Sequence, residues 1–241
     1  MIRATLFAAV LATLAGSAPD EPRPPVADHL PKADPAKPGE RFDKLVRADL
    51  FAGFGGDEGA LARGLARCEA TLAADPKHAE ALVWRGAVRV FQSSKLFAKG
   101  RMIAGMGLWN DGIKDMDDAV ALRPDYPGVR IPRAAVLMPA SRNAPAAMAK
   151  PLYQRILEDY TTMARLQGGQ LDKLGEHPLG ELRMGLADIY RVTGDLAKSR
   201  EQLDLIKKQL PDTDYAERAD QWLAAKPDAK LVHRCIGCHG Q

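Results

Sequence analysis

Cys235-Ile236-Gly237-Cys238-His239 places two thiols three positions apart, with an imidazole directly after the second. Thiols at this spacing can add across the vinyl groups of a porphyrin, and the adjacent imidazole can bind the iron through its neutral nitrogen. The motif therefore reads first as a covalent attachment site for haem c, held by Cys235 and Cys238, with His239 as the metal ligand. The same atoms allow two other uses. Cys235 and Cys238 can cycle between dithiol and disulfide. They can also join His239 and His233 around zinc or copper. On the residues alone all three remain open.

Haem attachment requires export, and the start of the chain reads that way. Arg3 precedes the apolar run from Ala4 to Ala15, and the small residues Gly16, Ser17 and Ala18 follow. Residues 1–18 fit a signal peptide and are too short to cross a bilayer comfortably. The expectation is an exported chain, periplasmic or otherwise extracytoplasmic, with no membrane span after signal cleavage. Residues 19–40 carry prolines at 19, 22, 24, 25, 31, 35 and 38 without apolar periodicity, and read as a solvated, Pro-rich linker.

Composition narrows the classes further. The formal net charge of +3 comes from basic and acidic residues that interleave, and aromatics make up 6% of the chain, so a nucleic-acid partner is not expected. Three cysteines are too few for a disulfide-held scaffold. Cys68 falls among the apolar positions of a helical pattern and reads as a small buried hydrophobe.

From residue 41 to 226 the chain is rich in alanine and leucine at helical spacing, is broken by Gly and Pro, and has no alternating strand pattern. Gly180 to Thr213 shows an internal repeat unit: Leu186, Ala187, Tyr190, a Gly194-Asp195 turn, Ser199, Leu203, Ile206 and a closing Pro211. Small residues at 187 and 199 let two helices approach closely, and Tyr190 and Leu203 fill the space between units. Weaker copies end at Asp75-Pro76, after Leu65, Cys68 and Leu72, and at Pro124, after Gly112, Met116 and Ala119. Phe97 to Trp109 exceeds the period and reads as an insertion or a lengthened first helix. In the most divergent copy, Pro139 is expected to end a short bent helix from Val129 to Met138. Its partner starts near Ala144 or Lys150 and runs to about Gln167. Tyr215 to Ala225 reads as a final amphipathic helix that covers the last unit.

These residues resemble the tetratricopeptide repeat, whose period is about 34 residues. The resemblance implies an all-α, right-handed helical solenoid of about four helix pairs plus a capping helix. It also implies a groove, lined by the first helix of each pair, that holds a partner protein or peptide. By that register the groove takes Glu80, Val83, Ala87 and Val90 from one unit, and Glu181, Met184, Asp188 and Arg191 from another. Residues 227–241 form a tail bearing the C-x-x-C-H motif. Cys235 to Gly240 is similar to the motif of small cytochromes c, which implies electron transfer or sensing. Arg234 to Gln241 also looks similar to the motif of cytochrome c maturation thiol oxidoreductases, with His239 where that family usually has Gln.

No nucleophile elbow, phosphate loop, zinc-protease helix or dinucleotide fingerprint occurs, so the body is expected to bind an exported protein rather than turn over a substrate. Arg85, Arg89, Arg130 and Arg133 suit either an anion-binding wall or helix faces with local salt bridges, and the second is preferred. The methionines read as packing groups. Met102 to Trp109 stands out as a flexible, Met-rich stretch suited to adaptable binding. His78 is expected to cap a helix or lie at the surface, and His177 to lie in an exposed connection.

Overall fold

The computed structural model describes residues 30–226 together with Ala229, Leu231 and His233. Its regular structure is helical, with no strand among the described residues. Nine α-helices follow one another in these residues: α1 (Phe42–Phe54), α2 (Glu58–Ala74), α3 (Ala79–Ala98), α4 (Met102–Leu122), α5 (Pro127–Asn143), α6 (Ala146–Gln167), α7 (Glu176–Val192), α8 (Leu196–Gln209) and α9 (Asp214–Ala224). A 3-10 segment, Gly168–Lys173, joins α6 to α7. No described helix is long and apolar enough to cross a membrane.

Local chemistry sets the helix starts. Asp57 accepts from Ala60 N–H at 2.9 Å, Asp195 from Lys198 N–H at 3.1 Å, and Thr213 from Ala216 N–H at 3.3 Å. Each satisfies a donor that the first turn leaves unpaired. His78 does the same with an imidazole: Nδ1 accepts from Ala81 N–H at 3.2 Å, as the capping expectation has it. Between α7 and α8 the chain turns at Gly194, whose φ of 88° is accessible to glycine at little cost.

Successive helices pack in pairs, α1 on α2, α3 on α4, α5 on α6 and α7 on α8, with α9 against α8. One apolar core, including Leu50, Leu65, Val83, Met116, Leu137 and Ile156, joins the first six helices and reaches α7 through Ile189. A second, including Leu179, Met184, Leu203, Ile206, Tyr215 and Trp222, joins the last three. In the first core α3 and α4 approach closely enough for their backbones to touch. A Cβ on Gly86 would lie 2.6 Å from Gly112 O, and one on Gly112 would lie 2.8 Å from Gly86 O. At both positions glycine is what lets the backbones meet.

The Phe97 to Trp109 excess lengthens both members of a pair. α3 runs to Ala98, and α4 begins at Met102 after a three-residue turn. In the divergent copy the helix is longer than Pro139 allowed: α5 continues through Pro132 and Pro139 to Asn143. Both Pro139 and Ala135, the residue whose carbonyl loses its intrahelical donor there, are exposed, so water can take the freed carbonyl. α6 likewise starts at Ala146 and carries Pro151 inside its second turn. The described end of the Pro-rich segment is tied down in part. Ala36 N–H donates to Thr71 Oγ1 at 3.0 Å, Arg67 Nη1 donates to Asp34 O at 2.6 Å, and Leu30 packs on the first core.

Candidate functional site

Cys235, Cys238 and His239 lie outside the described residues. The chain leading to them is held on α7. Glu181, Met184, Asp188 and Arg191 recur at intervals of three and four, which puts them on one face of that helix. Met184 turns fully into the second core. The other three hold this protein's own C-terminal segment. Arg191 Nη2 donates to Lys226 O, His233 N–H donates to Asp188 Oδ2 at 3.3 Å, and His233 Nε2 lies 3.1 Å from Glu181 Oε2.

Arg142, in the last turn of α5, completes this seat. Its Nη2 donates to both carboxylate oxygens of Asp188 at 2.5 Å, and its Nη1 donates to Leu231 O at 2.9 Å. Leu231 itself packs on the second core. Glu181 also accepts from Tyr215 Oη at 2.7 Å, and Tyr215 Oη is 2.8 Å from His177 Nδ1. His177 is exposed as expected, but it belongs to the first turn of α7 rather than to a connection.

Burial governs the electrostatics of the seat. Asp188 has no exposed surface, and desolvation pushes its carboxyl above the ordinary range, against the opposing pull of Arg142 and the His233 N–H. Arg142 Nε and His233 Nδ1 are buried with no hydrogen-bond partner among the described residues.

The other groove assignments meet a different fate. Val83 and Ala87 have no exposed surface and Val90 has 2%, so they are core residues and do not line an open groove. The physical reason is that α3 packs on α1, α2, α4 and α5, and so has little face left for a partner. Glu80 is also buried and accepts from Tyr126 Oη at 3.2 Å; burial raises its carboxyl, with the Tyr126 bond acting the other way.

Val90 instead helps to line a cavity of about 750 Å³ at the meeting of α1, α3, α4, α5 and α6. Its walls include Phe91, Phe97, Trp109, Met102, Met106 and Met148, and no charged side chain lines it among the described residues. Met102 is 58% exposed and Ile103, the next residue, 78%. The Met-rich stretch singled out in the sequence is thus one wall of this cavity.

The arginines do not form an open anion wall. Arg85 grips Asp115 through two bonds of 2.8 Å, and Arg89 adds one of 2.7 Å. Arg130 and Arg133 converge on Asp159, which has no exposed surface, at 2.7 to 2.8 Å. Arg133 and Arg155 share Asp117. These pairs tie α3 to α4, α5 to α6, and α4 to both α5 and α6. Cys68 has no exposed surface and burial drives its thiol pKa upward, so it behaves as a packing group. Among the described residues no cluster of three His, Cys, Asp or Glu side chains could hold a metal.

The fold class these observations define is all-helical. No family model matches the chain, and no curated protein or solved structure matches it. Arg142 went unnoticed in the sequence. Nothing local separates it from other arginines at a helix end, and its partner Asp188 lies 46 residues away.

Proposed function

We propose that this is an exported, non-enzymatic scaffold of the tetratricopeptide type, which binds an exported protein or peptide and carries haem c on its C-terminal motif. Cys235 and Cys238 would hold the group by thioether bonds, and His239 would ligate its iron. The donor set fits: two thiols, one imidazole, and no competing accessible thiol among the described residues, since Cys68 is buried. Such a group would supply a one-electron centre for electron transfer or sensing.

The observation that carries this reading is the seat on α7. His233 is held by Asp188 and Glu181 only two residues before Cys235, so the chain is anchored to the helical body close to the motif in sequence. For a redox dithiol that must meet many partners, such tethering is a hindrance. For a haem that needs protein around it, tethering is useful, because burial and second-sphere contacts set its potential.

The test is expression of the full chain in a host that exports it and attaches haem. The expected product is red, retains its colour through acid extraction, and gives a c-type pyridine haemochrome. Cys235→Ala, Cys238→Ala and His239→Ala each lose covalent haem while helicity by circular dichroism is unchanged. A colourless product with a reducible Cys235–Cys238 disulfide would replace this reading with the dithiol one, and stoichiometric zinc or copper would replace it with a metal site. Partner binding is tested separately, by capture from the native cell envelope with and without residues 41–226.

A further inference from the structure

The cavity walled by α3 and α4 changes character along its length. On α3 its wall is Val90, Phe91, Ser94 and Phe97, and on α4 it is Met102, Met106 and Trp109. Both sets keep helical spacing, so each lies on one face of its helix. Each stripe runs for two turns, roughly 10 Å. α3 and α4 run antiparallel, with Gly86 meeting Gly112 at one level and Phe97 meeting Gly105 nearer the turn. Val90 and Trp109 therefore form the inner end of a trough, and Phe97 and Met102 the end at the turn. Burial follows the same order: Val90 and Trp109 are buried, whereas Met102 and the adjacent Ile103 are exposed.

Cations stand at the open end. Lys99 lies in the turn between Phe97 and Met102, is exposed, and forms no ion pair among the described residues. Arg101 shares that turn. Lys95, one helical turn before Lys99, places Nζ 5.0 Å from the centre of the Phe91 ring, which is part of the wall. Its ion pair is with Glu58, whose side chain is 84% exposed, and such a pair holds a lysine weakly.

A ligand matched to this trough is apolar along its length and anionic at one end. The volume of about 750 Å³ lies inside the range of about 300 to 1,000 Å³ typical of small-molecule sites. Ser94 is the one hydroxyl on the wall, and it donates to Val90 O at 3.3 Å. The unbranched side chains of Met102, Met106 and Met148 can follow a flexible occupant. Every methylene that enters leaves water, which favours a long chain. An anionic head at the open end stays hydrated beside a cation, and so escapes the cost of burying a charge.

We infer that the trough binds one molecule of a long-chain fatty acid, with the acyl chain between α3 and α4 and the carboxylate beside Lys99. This site is separate from the seat on α7 and does not depend on the haem reading.

The experiment titrates the purified full chain with a fluorescent long-chain fatty acid and displaces the probe with oleate or with oleyl alcohol. The parent should bind the probe saturably and release it to oleate. Ala135→Trp puts a large ring at an exposed position on the wall and should weaken the probe and both competitors by on the order of tenfold. Lys99→Glu, in the exposed turn, should weaken oleate by on the order of tenfold and leave oleyl alcohol unchanged. Circular dichroism checks that both variants keep the parent's helicity. A parent without saturable binding, a folded Ala135→Trp that binds as the parent does, or a Lys99→Glu that treats oleate and its alcohol alike overturns the inference. Attachment to phosphatidylglycerol vesicles without binding of monomeric oleate also overturns it, and makes the Met102 and Ile103 edge a membrane contact instead.

Discussion

Arg142 and Asp188, on α5 and α7, form a forked ion pair in which one guanidinium nitrogen lies 2.5 Å from each carboxylate oxygen, and Asp188 is wholly removed from solvent. The same two side chains also bind the C-terminal segment, through Leu231 O and His233 N–H. One pair therefore links helix packing to the placement of the tail. Removing either partner leaves a buried charge without its counterion. Arg142→Ala is expected to cost about 3–5 kcal/mol, and the double change Arg142→Met with Asp188→Leu distinctly less. Denaturant unfolding of the variants measures both, and a double variant as unstable as Arg142→Ala would refute the buried-charge account.

The same burial gives stability a pH signature. The Asp188 carboxyl is raised above its unfolded value, chiefly by desolvation, so just above about pH 4 the folded chain holds more of that proton than the unfolded chain does. Stability then falls as pH rises from the ordinary carboxylate range through the raised value. Asp159 is raised for the same first cause, with Arg133 and Arg130 opposing, and acts in the same direction. Glu80, raised by burial too, acts the same way, and Asp188→Asn removes one of these contributions. The stability of the parent relative to Asp188→Asn should decline across that window, and a difference that is flat or grows with pH would contradict it.

Glycine positions separate close packing from simple chain freedom. Gly86→Ala puts a methyl 2.6 Å from the Gly112 carbonyl oxygen, a backbone atom that moves only with its helix, and should cost about 1–3 kcal/mol. Gly59→Ala meets nothing closer than 3.4 Å on the exposed side of α2 and should stabilise by about 0.4–1 kcal/mol, by restricting the unfolded chain. Thermal melts of both variants should move in opposite directions.

Where the signals were local, the sequence was readable. The α7–α8 pair is marked by Gly194-Asp195, which supplies both a positive-φ turn and an N-cap, and by Ala187 and Ser199, whose hydroxyl donates to Ala187 O at 2.8 Å. α5 was harder to read, because the local cost of Pro139 is outweighed by packing that spans other helices. Val83 and Ala87 were assigned to a groove because a repeat register fixes direction only if neighbouring units keep their spacing. Here α3 and α4 are both lengthened and α3 is covered on most sides. The seat on α7 was half legible. Glu181, Asp188 and Arg191 were identified as a binding face, but no local pattern says that the occupant is the chain's own tail.

That occupancy makes a final prediction about access to the motif. If the bonds from Arg142, Asp188, Glu181 and Arg191 hold Lys226, Leu231 and His233 against the body, weakening them must loosen the chain around these residues while the described helices stay folded. The paired change Arg142→Met with Asp188→Leu suits the purpose, since it avoids an orphaned charge. Local opening and cleavage are linked: when reclosing is fast, the cleavage rate follows the population of the open form. Trypsin should therefore cut after Lys230 and Arg234 faster in the double variant than in the parent, as read by mass spectrometry, with the circular dichroism of the body unchanged. Equal cleavage rates would mean that the segment opens freely even with the pair intact, and the seat could then place neither the motif nor anything attached to it.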